Sequence, residues 1–177
     1  QLITREQICP VKVERGFAVS DVEHDVLKIT VVNRYADVVP AVAFVKNFNL
    51  KRGAIASSVA HDSHNIIAVG VDDESIARAV NIIIRAKGGV SAVDGEAQAL
   101  VPLPVGGIMS AEDGYSIARD YKAIDSMVRG MGSSLAAPYM TLSFMALLVI
   151  PALKLSDKGL FEGNKFDFTD VFVSGAS

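Results

Sequence analysis

The chain has no tryptophan, one cysteine and six prolines among its 177 residues, and aromatic side chains make up only 7% of it. Each scarcity excludes something. A lone Cys9 cannot close an intrachain disulfide, so a disulfide-stapled scaffold is ruled out and a reducing, cytoplasmic setting is expected. Lys and Arg form no run and the formal net charge is −3, which argues against a nucleic-acid surface, since phosphate neutralisation needs clustered cations. The longest apolar run, MALLVIPAL at 145–153, is about half a membrane span and is broken by Pro151. No signal-peptide pattern follows Gln1, and a first residue other than Met suggests a portion of a longer chain.

What is present reads as a folded domain. Half the residues are hydrophobic and 21% are charged, and a chain this long can remove roughly 70% of its unfolded surface from water. Segments 25–34, 41–48, 53–60 and 65–71 read as strands, the last an apolar run expected at the centre of a sheet. Asp72, Asp73 and Glu74 open a helix whose apolar positions Ile76, Ala79, Val80 and Ile83 recur at helical spacing, with Gly88 and Gly89 ending it. Residues 90–100 predict a hairpin turning at Asp94-Gly95 as a type I′ turn. A second helix is expected to be capped by Ser110, with Ile117, Tyr121, Ile124 and Val128 as its stripe and Gly130 and Gly132 as its stop. Residues 138–149 read as a short buried helix ended by Pro151, with Met140, Phe144 and Met145 in the core, and 158–173 as a β-like tail around Phe166, Phe168 and Phe172. This order predicts an α+β fold, a mixed but largely antiparallel sheet packed with two or three helices in a single layered domain. Residues 1–35 form an N-terminal strand segment that belongs to or touches a neighbouring domain in this reading, and 36–177 the α+β domain proper.

The chemistry-bearing patterns are mostly missing. There is no His-x-His pair, HExxH, CxxC, Walker loop, GxSxG elbow or strand–GxGxxG–helix order, and one cysteine cannot supply the paired thiolates of a PCxxC zinc site. What stands out is His61-Asp62-Ser63-His64-Asn65, five hydrogen-bonding side chains between two apolar runs. In a turn, His61 and His64 can converge and with Asp62 offer two nitrogens and a carboxylate, a partial metal set. Asp62 could instead orient one imidazole as a general base. Against both stands a structural turn, because Asp, Ser and Asn bond readily to nearby backbone amides. His24, in SDVEHDV, reads as a surface turn residue, and Asp72 to Glu74 as a solvated helix start.

Three blocks are familiar together. FVKNFNLKRGAIASSVAHDSHNIIAVGVDDESIARAVN (44–81), LVPLPVGGIMS (100–110) and PYMTLSFMALLVIPALKLSDKGL (138–160) resemble, in order, the C-terminal region of bacterial-type adenine deaminases of the amidohydrolase superfamily. The resemblance implies a parent that converts adenine and water to hypoxanthine and ammonia in purine salvage. It implies a metal-bearing TIM-like barrel as partner, with manganese or iron as the divalent ion, and a homo-oligomer. The barrel's metal ligands have no counterpart here, so no metal, cofactor or catalytic residue is expected within this chain. His61, Asp62, Ser63, His64 and Asn65 are then candidates for a place near substrate or at an interface. The alternative is an independent module that binds a nucleobase or a metal through the same five residues.

Overall fold

The computed structural model describes residues 2–173. Its main sheet has six strands, β3 (Leu27–Val32), β4 (Ala41–Val45), β5 (Ala54–Ser57), β6 (Ile66–Gly70), β7 (Gly89–Asp94) and β8 (Ala97–Pro102), in the order β4-β3-β6-β5-β7-β8. Every pairing in it is antiparallel. A hairpin, β1 (Lys12–Glu14) and β2 (Phe17–Val19), precedes it. A three-stranded sheet, β9 (Leu153–Ser156), β10 (Gly159–Glu162) and β11 (Asp167–Phe168), follows. The helices are α1 (Asp73–Ala86), α2 (Gly114–Gly130) and α3 (Pro138–Phe144). This is the expected α+β class, with antiparallel pairing throughout.

The sheet is covered on both faces, which explains its unbroken apolar strands. Residues alternate across it. Ala54, Ala56, Ile66 and Ala68 face α1, whose Ile76, Ala79, Val80 and Ile83 fill that side. The small residues of β5 and β6 let the helix lie close. Leu27, Ile29, Val31, Ile55, Ile67 and Val69 face the opposite way, against Ile124 and Val128 of α2, Tyr139 and Leu142 of α3, and Leu155 of β9. Truncating Ile67, fully buried in that larger core, would cost roughly 2–5 kcal/mol. Residue 35, the end of the expected N-terminal segment, lies three residues beyond β3, and β3 lies between β4 and β6.

Several local expectations shift. α1 is capped as read: the Asp72 carboxylate accepts from the Ser75 N–H (2.7 Å). It ends, however, on Lys87 in the left-handed region (φ 62°), one residue before the glycines, with the Gly88 N–H returning to the Ile83 carbonyl. α2 is capped by Asp113, not Ser110; the Asp113 carboxylate takes the Ser116 N–H, while the Ser110 hydroxyl accepts from Glu112 in the preceding loop. The loop after β8 first turns through residues 106–108, closed by a Val105–Met109 bridge, so the helix starts later. The hairpin turns at Gly95-Glu96, because Asp94 pairs with Ala97; only Gly95 of the two has positive φ, the pattern of a type II′ turn.

The segment 138–149 is helical only to Phe144. Beyond it the chain tightens into three-residue turns, Met145 to Leu142, Leu147 to Phe144 and Ile150 to Leu147, and the Met145 carbonyl accepts from Leu155 of β9. Met145 is buried, but Met140 is half-exposed rather than core. β9 was not foreseen. In the tail, Phe161 packs edge-on against both Phe166 and Phe168, at 5.3 and 5.4 Å between ring centroids.

Candidate functional site

Antiparallel order brings four loops to one end of the main sheet: 33–40 after β3, 58–65 between β5 and β6, 87–88 before β7, and 103–113 after β8. The five predicted residues sit in the second of these. Ala60 carbonyl accepts from the His64 N–H (2.7 Å), closing a turn that carries His64 into the left-handed region (φ 52°). Outside strand geometry, His61 and His64 do converge: their rings lie 6.2 Å apart at 70°. His61 is also braced edge-on by Phe144 of α3 at 5.0 Å, and its N–H donates to the Ser143 carbonyl (3.2 Å). Asp62 and Ser63 are exposed at the tip, both histidines are half-buried and Asn65 is buried.

Asn65 is structural at least in part, its Oδ1 accepting from the Arg34 N–H (3.1 Å). Arg34 and Tyr35 belong to the site although the sequence reading passed over them. The Tyr35 hydroxyl donates to the Ser63 carbonyl (3.0 Å), the Arg34 guanidinium lies 5.3 Å from the Tyr35 ring centroid, and Arg34 Nη2 donates to Gly106 carbonyl (2.8 Å). Asn33 shapes this loop by accepting from the Tyr35 and Ala36 N–H groups, an Asx turn, while its amide donates to Asp157. Asn-Arg-Tyr at a strand end, ahead of Pro40, is turn chemistry carrying two large polar side chains, but nothing in that stretch says which other loop it meets.

Glycine is obligatory on the floor of this end. A Cβ on Gly107 (φ 82°) would stand 1.7 Å from Arg34 Nη1, and one on Gly88 would stand 2.3 Å from the Gly107 Cα. Ser58 stitches the loops beneath, its hydroxyl accepting from the Gly89 N–H and donating to the Gly107 carbonyl. Two buried nitrogens remain without a protein partner among the described residues, Arg34 Nη1 and His64 Nδ1. Around them stand exposed apolar side chains: Tyr35, Val38, Val39, Val105 and Met109.

The arrangement does not fit a metal. Among the described residues no three His, Cys, Asp or Glu side chains gather at metal-binding distance. The third histidine, His24, lies in the turn before β3, at the other end of that strand, bonded to Asp21 (2.8 Å). It is the surface turn residue expected.

This chain matches the model of the adenine deaminase C-terminal domain over residues 1–167. The chain belongs to that family. It is 53% identical over 175 residues to a protein named adenine deaminase from Salinibacter ruber, covering 98% of this chain and 32% of the relative. To the adenine deaminase of a Sulfurovum species it is 59% identical over 170 residues, 96% of this chain and 31% of the relative. To that of Methanosarcina acetivorans it is 50% identical over 173 residues, 98% and 31% respectively. The chain therefore spans about a third of the length of these relatives, which carry a further part that has no counterpart here. No helix among the described residues is long and apolar enough to cross a membrane.

Proposed function

We propose that this chain serves as the C-terminal domain of a cytoplasmic enzyme that hydrolyses adenine to hypoxanthine and ammonia, and that it docks onto the catalytic domain through the His61–Asn65 end of its sheet. The observation that carries the reading is the pairing of two uncommitted buried nitrogens with a rim of exposed apolar side chains, on a domain whose relatives are about three times longer. Such a rim excludes water once covered, and a partner or substrate supplies the hydrogen-bond partners that Arg34 Nη1 and His64 Nδ1 lack.

Replacing an aromatic amine with oxygen at neutral pH calls for a strong nucleophile, which a divalent metal, manganese or iron, would supply by lowering the pKa of bound water to about 7. No three metal-ligating side chains gather among the described residues, so in this reading the ion is held by the catalytic domain. The chain's own residues hold and orient: Phe144 fixes the His61 ring, and Tyr35 and Asn65 fix the loop on either side of His64. Purified alone, the 177-residue chain is expected to release no ammonia from adenine above background.

The test is made in the enzyme with its catalytic domain. His61→Ala combined with His64→Ala should lower turnover by about 10²-fold, the scale of a misplaced reacting geometry. Unchanged turnover with unchanged domain association would overturn the reading.

A further inference from the structure

A second site lies away from the histidine loop. A cleft of about 660 Å³ lies between the N-terminal segment, β4, β9 and β10. Its walls include Phe44, Met145, Leu155 and Leu160. Lys154 of β9 reaches it, yet that side chain is among the most buried in the chain, at 2% exposure. Its ammonium donates once, to the Leu2 carbonyl at 2.8 Å. An ammonium carries three donors, so two have no partner among the described residues.

Among the described residues no carboxylate answers this charge. Burial is what lowers the Lys154 amine to about 8, with no acidic neighbour to oppose it. Glu162, on the adjacent strand opposite Leu153, is held by the Asn164 N–H and by Lys165 at 3.3 Å. Asp21, which lines the cleft, is bonded to His24. Arg5 and Lys46 line it too and add positive charge. A buried cation without a counter-ion is costly, and evolution of a purely structural core has cheaper choices, a Met or Leu of similar length.

We propose that this cleft is a binding site for a small organic anion, a carboxylate or phosphate monoester whose charged head meets Lys154 and whose flat apolar body lies against Phe44 and Leu160. The volume suits it, since pockets for small molecules span roughly 300–1,000 Å³. Hydrogen bonds from Lys154 to the head are charge-assisted and made away from competing water, which favours an anion over its neutral isostere. The site is independent of the proposed catalytic role, and the experiment reads it without any deamination.

The full 177-residue chain is titrated calorimetrically with naphthalene-2-carboxylate, 2-naphthyl phosphate and the neutral naphthalene-2-carboxamide. At least one anion should bind 10-fold or more tightly than the amide, and which one leads tells the natural head group. Lys154→Met should erase that preference. Leu160→Trp, which keeps the lysine and fills the cleft, should weaken all binding at least 10-fold and guards against a Lys154 variant that does not fold. Amide binding equal to both anions, or undiminished binding to Leu160→Trp, overturns the proposal.

Discussion

The two ends of the six-stranded sheet are built from the same kinds of residue and are finished differently. At the end that starts β3, polar groups are paired: Asp25 accepts from the Asn47 and Asn49 N–H groups, Arg52 Nε meets Asp94 at 2.7 Å, its Nη2 reaches the Gly130 carbonyl, and Asp72 caps α1. At the opposite end, Arg34 and His64 each hold a buried nitrogen back, and Tyr35, Val39 and Met109 stand uncovered. Among the described residues the first end pairs these polar groups within the domain, although Val13 and Phe17 of the hairpin leading into β3 are exposed. The other end keeps two buried nitrogens unpaired beside exposed apolar side chains, the feature on which the proposed docking rests.

Mutations can break that contrast. The largest effect is expected at Gly107→Val, which drives a side chain into Arg34 from a left-handed backbone and should cost about 3 kcal/mol or more by urea denaturation. Gly95→Ala, in an open turn at the other end, should cost only about 1 kcal/mol; equal losses would erase the distinction. Next comes Asn65→Ala, which strands the partly buried Arg34 N–H and should cost roughly 1–2 kcal/mol, against about 0–1 kcal/mol for Arg52→Ala in an exposed ion pair. His24→Ala should change stability by less than about 0.5 kcal/mol and leave turnover of the full enzyme alone.

A pH series sharpens the comparison from outside both ends. Lys154 drops from an ordinary 10.5 to about 8 on folding, so between these values the unfolded chain binds more protons than the folded one. Stability should therefore rise as pH climbs through that window, and below pH 8 the burial penalty is constant. Subtracting a Lys154→Met series isolates this term; identical pH slopes in the two proteins would show that the amine is not buried as charge.

Much of this was legible in the sequence. Asp72 before two acids and a helical stripe gave α1 its start, and NIIAVGV gave a central strand, because local propensity and tertiary packing agree there. Ser110 misled because two residues within reach can both cap, and only the path of the proline-rich loop chooses between them. The Met140 reading failed because α3 buries the face carrying Tyr139, Leu142 and Ser143, and a run apolar on nearly every side does not mark which face turns outward. His61 and His64 were found as residues, but Arg34 was not, since nothing in sequence says that positions about thirty apart meet at one strand end.

Composition and period by themselves determined the class of fold and the absence of a disulfide framework, because those depend on residue types and on spacings within single elements; the family was legible only through the resemblance of the three blocks at 44–81, 100–110 and 138–160. Which loops share an end of the sheet, which nitrogens stay unpaired and where Lys154 loses its water depended on strand order. Strand order is a property of long-range pairing, and no local stretch of chain encodes it.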